Sequence, residues 1–263
     1  MGVTDAPPSV VAIETDALTK RFGSVEAVAG IHLRVRRGEV FGFLGPNGAG
    51  KSTTIRMLVG LIRPTSGRAR VAGYDVVETP VEVKRRIGYL SENPYAYEKL
   101  TGREFLSFIG DLYGTDTTVA AERAARLFDL LELEDKQDEL VEGYSRGMRQ
   151  KLGLAAALLH EPEVLFLDEP TSGLDPRSAR VVKDLLRELA RRGRTIFFST
   201  HVLEIAQNMC DRVGIIDRGR LVAVGTLDEL RAAEGTTDAS LEDIFLELTG
   251  GPEAVELAEF LGE

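Results

Sequence analysis

Residues Gly45, Pro46, Asn47, Gly48, Ala49, Gly50, Lys51 and Ser52 fit the pattern G-x-x-x-x-G-K-[ST], which limits the possible folds more than any other stretch of the chain. The segment follows a short apolar run at 40–44 and opens a helix-forming stretch at 52–59, which Gly60 and Pro64 bring to a stop. A buried strand, a glycine-rich turn and a helix in that order aim several backbone N–H groups at one point. The glycines let those groups converge without obstruction by Cβ atoms. The helix start adds its own unpaired donors and the positive end of its dipole. Lys51 can bridge the β- and γ-phosphates of a nucleotide, and the Ser52 hydroxyl, with Thr53 beside it, suits a Mg²⁺ ion. A plain turn before a helix would need neither the lysine nor the hydroxyl.

The remaining strand and helix signals arrange themselves around this unit. Residues 9–18 and 31–35 read as strands before the loop, and 68–72 and 87–90 as strands after it. From about 92 to 160 the chain turns to helix formers, with helices expected at 103–112, 120–131 and 148–159. Strands return at 164–167, 195–199 and 213–216, with a helix at 179–191 between the first two. Strands alternating with helices of this length predict an α/β fold with a mostly parallel sheet. Two capping boxes, Thr226 with Glu229 and Ser240 with Asp243, mark helix starts in a tail over 227–263. The expected organisation is one α/β domain over 1–226, with the helical segment at about 92–160 inserted into it, and that tail.

Composition excludes some roles. A net charge of −10 argues against non-specific binding of nucleic acid, which needs basic surface to displace counterions. The single cysteine, Cys210, cannot form an internal disulfide and reads as a small buried residue. The apolar run at 152–159 is far short of the roughly 20 residues that span a bilayer, so a soluble, cytoplasmic chain is expected. The polar, proline-bearing start at 1–8 is unlike a signal peptide.

A second chemical unit is the apolar run at 164–167 ending in Asp168 and Glu169. Acids at the C-terminal end of a strand lie where α/β sheets bind ligands. Asp168 suits a Mg²⁺ shell, and Glu169 suits a general base acting on the attacking water. His201, just beyond the strand at 195–199, is a plausible donor to the γ-phosphate, whereas His32 and His160 read as structural or surface residues. Tyr95 and Tyr97 offer either a dock for a partner helix or packing for their own loop.

Tyr144, Ser145, Arg146, Gly147 and Met148 bring in a family. With the following Arg149 and Gln150, the stretch resembles the signature of the ATP-binding cassette (ABC) ATPases, usually written L-S-G-G-Q. Ser145 and Gly147 match its serine and second glycine, while Tyr144, Arg146 and Met148 depart from it. The resemblance covers nearly the whole chain. Phe22 stands where the family has an aromatic residue that stacks on adenine, residues 172–175 ending in Asp175 look like its D-loop, and His201 looks like its switch histidine. Glu92 stands where a glutamine is common; it keeps an oxygen for Mg²⁺ or water but cannot donate a hydrogen bond.

The resemblance implies a P-loop NTPase (RecA-like) core with an N-terminal antiparallel β subdomain and an inserted α-helical subdomain. It implies catalysis by Lys51, Glu169 and His201. Nucleotide contacts would come from Phe22, residues 45–53, Glu92, Ser145, Gly147, Asp168 and Asp175, and Mg²⁺ ligands from Ser52, Glu92 and Asp168. The implied partners are a second cassette, identical to this chain or a different one, joined head to tail, and a separate transmembrane permease, which holds the chain against the inner face of the cell membrane. No nucleic acid is expected. The signature, Glu92 and the tail stretch at 240–251 look like those of bacterial exporters of drugs, antibiotics or lipid-linked products. A soluble ABC ATPase of an assembly, nucleic-acid-associated or ribosome-associated process is the alternative. A non-catalytic scaffold is disfavoured by intact Lys51, Asp168, Glu169 and His201, and a GTPase by the lack of an Asn-Lys-x-Asp motif.

Overall fold

The computed structural model describes residues 10–250, so the start of the chain at 1–8, Ser9 of the first expected strand and the last part of the tail lie outside the described residues. Strands β1 (Val11–Phe22) and β2 (Val25–Arg36) form a long antiparallel hairpin. β3 (Val40–Leu44) leads through the glycine-rich loop into α1 (Lys51–Leu58). β4 (Ser66–Val71), β5 (Tyr74–Asp75), α2 (Pro80–Arg86) and β6 (Ile87–Leu90) follow. The helical insert is α3 (Gly102–Leu112), α4 (Thr117–Leu130) and α5 (Arg146–Leu158). The chain then runs through β7 (Val164–Asp168), α6 (Pro176–Arg191), β8 (Thr195–Thr200), α7 (Leu203–Met209), β9 (Arg212–Asp217) and β10 (Arg220–Gly225). It closes with α8 (Leu227–Ala233) and α9 (Leu241–Thr249).

Two sheets result. One is antiparallel, in the order β2-β1-β4-β5; the other has the order β10-β9-β3-β8-β7-β6. In the second, β9, β3, β8, β7 and β6 pair in parallel, and only the edge strand β10 runs antiparallel. Every residue of β3, β7 and β8 is buried, as parallel strands covered on both faces require, including the polar Asp168, Thr195, Ser199 and Thr200 near their ends. Successive residues of β8 serve different cores. Phe197 stacks with Phe41 at 5.6 Å and packs on Phe43 and Phe166, within the core shared with the antiparallel sheet. Phe198 joins the leucines of the insert and of α6. Because β3 lies between β9 and β8, with β7 next to β8, the glycine-rich loop, the Asp168–Glu169 pair and the end of β8 all emerge at the same sheet edge.

Several element boundaries differ from the sequence reading. β1 runs past 18 to Phe22, and beyond 18 register shifts against β2 between Leu18 and Lys20 and between Lys20 and Arg21 disturb the alternation that marks a strand. Gly30 (φ 70°) interrupts β2, hiding its first half from a reading that begins at 31. The short α2, β5 and α7 and the edge strand β10 carry too little periodic signal to be read from sequence. Both expected capping boxes are present: Thr226 with Glu229 starts α8, and Ser240 with Asp243 starts α9. A third, Thr101 with Glu104, opens α3. No helix among the described residues is long and apolar enough to cross a membrane.

Candidate functional site: a phosphate cleft at the sheet edge

Two loop glycines are demanded by geometry. A Cβ on Gly45 would lie 2.3 Å from the Ile216 carbonyl oxygen. Gly50 takes φ 109°, and a Cβ there would lie 2.5 Å from the Ala27 carbonyl oxygen. The loop is therefore pressed against β2 and β9 and wraps the start of α1. Lys51, only 8% exposed, donates from Nζ to the Gly45 oxygen at 2.6 Å and the Pro46 oxygen at 3.1 Å. Burial pushes its ammonium below the ordinary lysine range, and the charges of Glu169, Asp168 and Glu92 oppose that shift.

The acids are held by the neighbouring strand. Ser199 Oγ donates a short hydrogen bond to Asp168 Oδ1. Thr200 Oγ1 donates to Glu169 Oε2 at 3.2 Å, and His201 Nδ1 lies 2.9 Å from Glu169 Oε1. Both carboxylate oxygens of Glu169 thus face fixed groups at the end of β8. Its backbone is fixed as well: the N–H donates to the Ser199 oxygen at 3.1 Å, and the carbonyl accepts from Gln150 Nε2 of α5 at 3.2 Å. Glu169 adopts φ 51°, a left-handed conformation that costs a non-glycine residue free energy and that the hydrogen bonds around it maintain. Strain of this kind concentrates at functional sites.

The structure brings most of the expected residues to one cleft. Its volume is about 500 Å³, and its walls include Gly45, Pro46, Asn47, Gly48, Gly50, Lys51, Ser52, Thr53, Glu92, Asp168, Glu169 and His201. Ala49 is buried beneath the loop. Phe22, Ser145, Gly147 and Asp175 do not line it. Phe22 is half exposed, with Lys20 Nζ 5.0 Å from its ring centre. Ser145 caps α5 by accepting from the Met148 N–H, and Asp175 caps α6 by accepting from the Ser178 N–H and hydroxyl. Those bonds hold the Asp175 carboxyl below the usual range. The signature departure at Arg146 also has a contact: its Nη2 donates to Ser172 Oγ at 2.9 Å, so signature and D-loop stretches touch within one chain. His160, as expected, is structural, bonded to the Ile87 oxygen at 2.9 Å and stacked on Tyr113.

Sequence reasoning missed four contributors. Ser199, Thr200 and Gln150 act through the acids and show no signal before the strands are paired. Phe245 is the fourth: α9 folds back so that this ring lines the cleft beside Ala27. The start of α9 is tied to α7 by the Leu241 N–H, which donates to Gln207 Oε1 at 2.8 Å, and Leu241 and Ile244 are each 1% exposed. Phe245 packs against the core that Leu241 and Ile244 enter, but those two buried side chains hold α9 in place, so Phe245→Ala should keep the fold and weaken ATP binding about fivefold, roughly 1 kcal/mol of lost apolar contact. Titration with a fluorescent ATP analogue checks this; parent-like affinity would remove the ring from the nucleotide wall.

A phosphate loop on a central parallel strand, a lysine inside it and two acids at the end of a neighbouring strand define a P-loop nucleoside triphosphatase. A family model described as ABC transporter matches residues 28–172. The chain is 48% identical over 225 residues to the daunorubicin/doxorubicin resistance ATP-binding protein DrrA of Streptomyces peucetius, covering 86% of this chain and 68% of that one. It is 41% identical over 260 residues to a fluoroquinolones export ATP-binding protein of Mycobacterium tuberculosis, covering 98% and 83%. Among solved structures, the ATP binding subunit of an ABC transporter superposes with a TM-score of 0.86 at 34% identity, over 90% of this chain and 99% of that one. The dimeric ATP-binding cassette MJ0796, bound to ADP and Pi, shares the fold at a TM-score of 0.76 and 23% identity, over 82% and 98%. The chain belongs to the ABC transporter family, as an ATP-binding and ATP-hydrolysing cassette.

Proposed function

We propose that this cassette powers export of a drug, antibiotic or lipid-like compound through a separate membrane subunit, working as one of two cassettes joined head to tail. The observation that carries the head-to-tail reading is a division of labour. Lys51, Asp168 and Glu169 share one cleft, whereas Ser145 and Gly147 do not line it. A second protomer presenting its own Ser145 hydroxyl and Gly147 N–H over the triphosphate completes the site. The Phe22 ring, half exposed, is available for the adenine. The names of the two exporter relatives support the direction of transport.

Mg²⁺ fits the donor set. Ser52, Glu92 and Asp168 offer hard oxygens on one cleft. No cluster of three His, Cys, Asp or Glu side chains among the described residues suits a metal by itself, which matches an ion completed by substrate phosphates rather than caged by protein. When bound, the ion neutralises charge on the β- and γ-phosphate oxygens. The chain's own residues supply the rest: the loop amides and Lys51 position the phosphates, and Glu169 takes the proton of the attacking water while Thr200 and His201 hold its carboxylate in place.

Closure of two such sites and reopening after hydrolysis drive the membrane subunit. Tyr95 and Tyr97, just after Glu92, and Phe108 of α3, exposed and packed edge to face, are the surface offered to that subunit, which keeps the chain on the inner membrane face. Affinity isolation of the tagged chain from membranes tests the proposal. A polytopic membrane protein is expected to co-purify, and to be lost when Tyr95 and Tyr97 are both changed to Ser. Recovery of ribosomal or assembly proteins instead would overturn the transport reading.

A further inference from the structure

A second cavity, of about 290 Å³, opens at the opposite edge of the parallel sheet, where the insert meets the core. Its floor is apolar: Leu165 at the start of β7 is fully buried, Leu158 at the end of α5 is 8% exposed, and Leu127 of α4 and Leu185 and Leu189 of α6 pack around them. Its rim is cationic. Arg123 and Arg126 of α4 face Arg192 and Arg194 in the turn after α6, with Glu161 the one acid among the lining residues.

The four arginines are unequally committed. Arg123 pairs with Glu161 at 2.7 Å and donates to the Leu159 oxygen, and Arg192 pairs with Glu188 at 2.8 Å. Arg126 reaches Glu122 only at 4.0 Å, with 81% of its side chain exposed. Arg194 is bonded through its backbone N–H to the Leu189 oxygen, and no hydrogen bond or ion pair of its guanidinium occurs among the described residues. In a chain of net charge −10, such a concentration of arginine over a leucine floor is the reverse of the prevailing surface. The combination selects a ligand with two ends: an anion for the rim and a hydrocarbon tail for the floor. No aromatic side chain lines the cavity, so it lacks the stacking surface a nucleotide base would use.

We propose that this cavity binds a single-chain anionic amphiphile, with its head between Arg126 and Arg194 and its tail on Leu127, Leu185 and Leu189. The occupant would touch α4, the end of α5 and α6 together. α5 begins at the Ser145 cap and α6 at the Asp175 cap, so a ligand clamped between their far ends bears on how the insert sits against the core.

Decanoate, labelled at its carboxyl carbon and kept below its micelle-forming concentration, is the probe. It is titrated into the purified full chain without membranes and followed by NMR, so the outcome does not depend on any transport partner. Saturable binding is expected, with affinity lowered about tenfold in Arg194→Glu and in Arg126→Glu, both surface changes outside the nucleotide cleft. Decanol, which lacks the charge, and acetate, which lacks the tail, should each bind at least about tenfold more weakly. Excess ATP should not displace the probe. Non-saturable binding, displacement by ATP, equal binding of decanol, or unchanged affinity in both arginine variants would each overturn the proposal.

Discussion

ATP turnover in Glu169→Gln should fall by at least about a hundredfold, the low end of what a positioned general base contributes, while ATP binding stays near the parent value. The change swaps a carboxylate for an amide of the same shape. An amide oxygen still accepts from Thr200 Oγ1, and the backbone bonds to Ser199 and Gln150 do not involve the side chain. What disappears is the ability to take a proton from water. The variant should therefore hold ATP without consuming it. On size exclusion with ATP it should elute as a dimer, whereas the parent, clearing its nucleotide, should not. Phosphate release in a single turnover measures the chemical step directly, and parent-like release would remove Glu169 as the base.

The same residue shows where sequence reasoning succeeds and where it stops. Asp168 and Glu169 were legible because an apolar run ending in two acids describes a buried strand reaching the ligand edge of a sheet. Lys51 and Ser52 were legible because their chemistry depends on spacing along the chain. The partners of Glu169 were not. Thr200 and Gln150 lie 31 and 19 residues away along the chain, and only the pairing of β7 with β8 and the docking of α5 bring them into contact. Phe245 was hidden for the same reason: the capping box at Ser240 announced a helix, but nothing local says which surface a terminal helix covers. β1 and β2 were read short because register shifts and a glycine kink interrupt the two-residue period on which strand recognition rests.

Lys51→Met separates phosphate binding from stability. The side chain keeps most of its apolar stem and loses the ammonium. Loss of charge-assisted contacts to the triphosphate should weaken ATP binding at least about thirtyfold, roughly 2 kcal/mol. The nucleotide-free protein should nevertheless melt no lower than the parent near neutral pH. The reason lies in the direction of the Lys51 shift: desolvation lowers it from 10.5, and the raising influence of Glu169, Asp168 and Glu92 does not cancel that effect. A base whose pKa is lower in the folded chain holds its charge at a cost to folding. That cost is fully present below the folded pKa and is relieved as pH rises towards the unfolded value. Any stability gained by Lys51→Met should therefore be greatest near neutrality and shrink in alkali. Thermal melts at neutral and alkaline pH, run beside ATP titrations, give both readouts. ATP affinity equal to the parent's would show that the loop at 45–52 is not the phosphate cradle. A lowered melting point with lost binding would trace the loss to the Gly45 and Pro46 carbonyls that Lys51 Nζ serves, making the lysine a structural clasp of the loop rather than a ligand of the nucleotide.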